Sequence, residues 1–128
     1  MPSAVLFSIV ESPAHPDLSG LYRRLGIAEI RVSSMRKALG ELKHTAPDFV
    51  VAEFLYGYGN NYAGVNISNL DVFLYSLQKY APAAKVIVLV DPLERQYVER
   101  LIQLFPVHAV LQHPVREPDL EAILSGAL

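Results

Sequence analysis

Five short apolar runs recur along the chain, at residues 4–10, 27–32, 48–54, 85–90 and 107–112, and the segments between them carry apolar residues at helical spacing. Runs such as KVIVLV, apolar at successive positions, suit strands covered on both faces. Leu18, Leu21, Tyr22 and Leu25 follow a helical repeat that stops at Gly26, a residue type suited to a helix C-terminus. Met35, Ala38, Leu39 and Leu42 repeat the pattern after Ser33 and Ser34, either of which suits a cap. Leu70, Phe73, Leu74 and Leu77 follow Ser68, which forms a capping-box-like pair with Asp71. Asp91, Pro92 and Glu94 open a fourth helix whose inward stripe is predicted as Tyr97, Val98, Leu101, Leu104 and Phe105. A last helix starts near Pro118 and carries Leu120, Ile123 and Leu124.

The order is therefore βαβαβαβαβα. Right-handed crossovers make a single doubly wound α/β domain over residues 1–128, with helices on both faces of a five-stranded parallel sheet in flavodoxin-like order 2-1-3-4-5. In such a sheet ligands bind beyond the carboxyl ends of the strands. The side chains expected there are Glu11, Ser12 and His15 after the first strand, Glu53 after the third, Val90 and Asp91 after the fourth, and His113 after the fifth.

Composition narrows the chemistry. A formal charge of −2 gives no general electrostatic reason to bind nucleic acid or an anionic membrane, and Arg23-Arg24 and Arg36-Lys37 read as solvated helix faces. Zero cysteines remove disulfides, thiolate nucleophiles and cysteine-ligated metals, and are compatible with a reducing cytoplasm. The N-terminus lacks a basic leader, no run approaches the ~20 apolar residues of a membrane span, and the sequon at Asn66 reads as coincidence. No nucleophile elbow, P-loop or dinucleotide fingerprint occurs, and the prolines of SPAHPD argue against a flavin-phosphate cradle.

The phrases APDFVVAEF and QHPVREPDLEAIL, set in five βα units, resemble a response-regulator receiver domain over essentially the whole chain. The resemblance puts Glu53 at the phospho-acceptor aspartate, His113-Pro114 at the family's Lys-Pro, with a cis peptide expected there, and Leu120 and Leu124 in the final helix. It also shows four departures. Glu11-Ser12 offers one acid where receivers use an acidic pair to hold Mg²⁺. Glu53 is longer than aspartate, Val90 lacks the hydroxyl expected near it, and His113 is not a fixed cation. The resemblance thus implies a degenerate pocket in a pseudo-receiver that has lost phosphoryl transfer, needs no cofactor, is not an enzyme and binds another protein. Glu53 is either a partial mimic of the phosphorylated state or an acid tolerated at a wet strand end.

Two rival readings use the same residues. One is a Mg²⁺-dependent switch phosphorylated on Glu53 with Glu11 as ligand. The other is a small metal-dependent enzyme using Glu11, His15, Glu53 and His113, although spacing fixes no geometry among them. Candidate protein-binding surfaces are the loop bearing Tyr56, Tyr58, Asn60, Asn61 and Tyr62, and, by resemblance, a homodimer face bearing Arg95, Glu99, Gln103, Arg116 and Asp119. An alternative reading folds the loop's tyrosines over the vacated pocket, and each polar residue of the face is equally explained by solubility. His44 and His108 read as structural.

Overall fold

A computed structural model describes residues 3–57 and 68–128. Its sheet contains β1 (Val5–Ile9), β2 (Ala28–Val32), β3 (Phe49–Phe54), β4 (Lys85–Val90) and β5 (Ala109–Gln112). All four pairings are parallel and the order is β2-β1-β3-β4-β5, as the sequence pattern predicts. The strands alternate with α1 (Ser19–Arg24), α2 (Met35–Leu42), α3 (Asp71–Tyr80), α4 (Arg95–Leu104) and α5 (Glu117–Ala127).

Period-two alternation along the strands divides the apolar residues between two cores. Phe7, Ile9, Val50, Ala52, Phe54, Val86, Val88 and Val90 face α2, α3 and α4. Leu6, Phe49, Val51, Ile87 and Leu89 face α1 and α5, where Leu21, Tyr22, Leu120 and Leu124 are buried. Burial of β3 and β4 on both sides explains why their sequences read as continuous apolar runs.

Local chemistry places the helix ends. Ser34 Oγ accepts a hydrogen bond from the Lys37 amide at 3.1 Å, while Ser33 Oγ takes the Lys37 ammonium instead, so Ser34 is the cap. The Ser68 amide donates to Asp71 Oδ1 at 2.8 Å and Ser68 Oγ accepts from the Leu70 amide at 3.1 Å, fixing the turn that enters α3. Gly26 ends the α1 segment with φ 72°, a conformation in which a Cβ would be strained. Asp91 accepts from the Leu93 amide at 2.8 Å and opens a 3₁₀ turn, Pro92–Glu94, ahead of α4.

One expectation for α4 fails. Val98 and Leu101 are fully buried and Tyr97 and Phe105 partly so, but Leu104 is 59% exposed. At ~100° per residue, Val98, Leu101 and Phe105 share a narrow arc whose centre lies roughly a quarter turn from Leu104. The peptide between His113 and Pro114 is cis, as the resemblance implies.

Candidate functional site

Glu53 is the last residue but one of β3, a strand buried along its whole length, and its own exposure is only 2%. A carboxylate taken out of water must have its lone pairs used, and here they are. Oε2 accepts from the Glu11 amide at 2.7 Å and the Ser12 amide at 3.1 Å. The Ser12 hydroxyl donates to Oε1, and the Nδ1 of buried His15 lies 3.3 Å from Oε2. The loop after β1 thus folds back over the end of β3 and wraps one carboxylate in donors. Ser12 Oγ also accepts from the Ala14 amide at 3.3 Å, and the His15 amide donates to the Ser12 carbonyl at 3.2 Å, tightening that loop on itself.

The acid strengths follow from this geometry. Burial pushes the Glu53 carboxyl up, but the bonds from His15, Ser12 and the Glu11 amide together outweigh it and hold the pKa below its ordinary value. Half-buried Glu11 goes the other way, raised chiefly by burial and further by the negative charge of Glu53, despite its bond from Asn69.

Asn69, which the sequence reading overlooks, joins the elements. Its Nδ2 donates to Glu11 Oε1 at 2.7 Å and to the Glu53 carbonyl at 2.8 Å, and its Oδ1 accepts from the Leu55 amide at 2.8 Å. One amide side chain therefore ties the β1 loop, the end of β3 and the entry to α3. The sequence signal was an amide residue directly after the Ser68 cap, too common in turns to single out.

The predicted pocket assembles only in part. Glu11, Ser12, His15 and Glu53 come together. Val90 does not join them: it pairs in register with Phe54 and is fully buried in the α2–α3–α4 core, on the opposite face of the sheet from Glu53. Asp91 spends its carboxylate on the Leu93 amide. His113 donates its backbone amide to the Val90 carbonyl at 2.9 Å, and its buried Nδ1 has no hydrogen-bond partner among the described residues.

Mg²⁺, the cation of receiver pockets, suits this arrangement poorly. A hard cation needs several oxygen lone pairs converging on one point, whereas Glu53 is faced by two amides, a hydroxyl and an imidazole, and Glu11 Oε1 is engaged by Asn69. Among the described residues no group of three or more His, Asp and Glu side chains is placed to hold a metal ion.

Of the predicted interaction loop, only Tyr56 lies in the described residues; Tyr58, Asn60, Asn61 and Tyr62 lie outside them. Tyr56 stacks on Tyr97 of α4, centroids 3.7 Å apart and rings 11° from parallel, and its amide donates to Glu94 Oε1 at 3.1 Å. An antiparallel bridge to Ser68 pins the other side of this stem. On the predicted dimer face, Glu99, Gln103, Arg116 and Asp119 are exposed, and Arg95 donates to Glu99 at 2.9 Å within the same helix.

No protein-family model and no curated protein matches the sequence. Solved structures do match. A response regulator from Thermotoga maritima superposes with a TM-score of 0.72 over 98% of this chain and 98% of that one, at 13% identity. A response regulator receiver domain protein from Clostridium thermocellum gives 0.70 over 97% and 93%, at 19% identity. A streptococcal protein, described as one of a family of redox sensors evolved from two-component response regulators, gives 0.74 over 97% of this chain at 18% identity. This chain spans about half of that protein, 51%. The fold is that of receiver domains. No helix among the described residues is long and apolar enough to cross a membrane.

Proposed function

We propose that this chain is a pseudo-receiver: a receiver-fold signalling domain that acts by binding another protein and performs neither phosphoryl transfer nor any other catalysis. The observation that carries the reading is the use of the Glu53 carboxylate as a structural acceptor. An acceptor must hold a lone pair free and in line with phosphorus, with cations to neutralise the equatorial oxygens. Glu53 instead closes the β1 loop, Val90 carries no hydroxyl to meet a phosphoryl oxygen, and His113 supplies no fixed positive charge. The use of this fold for another kind of signal has a parallel, since the streptococcal neighbour is described as one of a family of redox sensors evolved from two-component response regulators. With zero cysteines this chain offers no thiol for redox chemistry of its own, and the cytoplasm is the compartment that reading favours.

The test is the response to Mg²⁺ with beryllofluoride. A ligand that binds only the folded chain raises its stability by about 2.7 kcal/mol at a hundredfold excess over Kd. We expect no saturable rise in thermal midpoint and no change in the fluorescence of the tyrosines. A saturable rise abolished by Glu53→Ala would restore the phosphorylatable switch.

A further inference from the structure

On the opposite edge of the sheet from Glu53, the ends of α3 and α4 leave a groove of about 450 Å³ lined by Tyr75, Gln78, Lys79, Leu104 and Phe105. It shares Gln78 and Phe105 with a second, smaller cavity that Leu74, Leu77, Pro82, Ala84, Val86 and Pro106 also line. Two of its apolar walls stand open to water, Tyr75 at 74% and Leu104 at 59% exposure. Neither supports the core, and neither matches the polar outer face expected of a surface helix. Contiguous exposed apolar groups of this kind mark contact sites.

We infer that this groove is a docking site for a segment of another protein that places two or three apolar side chains between α3 and α4 and an Asp or Glu carboxylate beside Lys79. The proposal rests on the reading of the chain as a protein-binding module. Charge decides the occupant. The lining holds one cation and no carboxylate, and Lys79 enters no ion pair among the described residues, its ammonium lying 5.7 Å from the centroid of the Tyr80 ring. A second copy meeting this surface across a two-fold axis would bring two Lys79 ammonium groups together with no acid from the lining to pair them, so self-association is disfavoured. A carboxylate-bearing apolar segment satisfies both halves of the site, helix-in-groove fashion. Because the groove lies at the amino edge, its occupancy does not pass through Glu53.

The experiment selects a display pool of random short peptides against the intact chain and against Tyr75→Ser and Lys79→Glu. Both positions are exposed, and unchanged thermal midpoints verify that the variants fold. We expect wild-type selection to enrich peptides with paired apolar residues and an Asp or Glu, Tyr75→Ser to weaken them at least about tenfold, and Lys79→Glu to move the preference to Lys or Arg. Enriched peptides indifferent to both variants would overturn the groove while leaving a protein-binding role intact. No enrichment, or a self-association in sedimentation that Leu104→Ser abolishes, would overturn it as well. A beryllofluoride response would strike the module reading instead, so the two failures are separable.

Discussion

A carboxylate removed from water destabilises a fold by several kcal/mol unless donors replace the water, and Glu53 has its replacement in Glu11, Ser12 and His15. This makes acid the natural probe. The pKa of Glu53 is below its ordinary 4.5 in the fold, so its stabilisation is complete above about that pH and is withdrawn as pH falls through the lower folded value. Glu11, with its pKa raised, acts oppositely: its contribution is present in acid and is lost as pH rises from 4.5 through the raised value. Glu53→Gln removes the first effect, turning an acceptor into a group whose NH₂ faces other donors, and is expected to cost about 1–3 kcal/mol near neutrality. Thermal unfolding followed by circular dichroism should show the gap between wild type and variant narrowing as the solution is acidified below that window. A gap independent of pH would mean that Glu53 is not held as a buried anion.

At the scale of elements, the sequence was most readable where a local signal suffices. The cap of α2, the turn into α3 and the positive φ of Gly26 each depend on neighbours within four residues. Ser33 and Ser34 were indistinguishable as caps by composition; backbone geometry separates them, since Ser34 is extended at φ −158° and ψ 158° and aims its oxygen at the Lys37 amide. Ser34→Ala should therefore lower stability by about 1 kcal/mol, with Ser33→Ala near neutral, as measured by urea midpoints. The surroundings of Glu53 were not readable in this way. Its donors lie more than thirty positions away in sequence, and nothing in SPAHPD alone says that the loop turns its amides inward. The outward turn of Leu104 was missed because two adjacent apolar residues close α4 and periodicity cannot choose between them until the 3₁₀ turn before the helix sets its phase.

Across the whole molecule, two apolar layers clamp one sheet, and position within a layer should decide the effect of truncation. Leu101 and Leu104 lie on one helix with 0% and 59% exposure. Leu101→Ala is expected to destabilise by about 2–5 kcal/mol, and Leu104→Ala by no more than about 0.5 kcal/mol, in chemical unfolding with an unchanged slope. Equal losses would place Leu104 in the core and close the groove. The two edges of the sheet meanwhile differ in chemistry. The carboxyl edge is knit by polar bonds converging on Glu53 and Asn69, while the amino edge exposes unsatisfied apolar surface between α3 and α4.

The stitching of the first loop to Glu53 also makes the length of that side chain matter. Shortening the side chain to aspartate would draw the carboxylate back, because two amides and a hydroxyl reach for oxygens about one carbon–carbon bond further out. A shorter acid would need the loop rebuilt around it to keep the same donors. Loop and acid are thus matched in length, and altering either one alone is expected to lower stability.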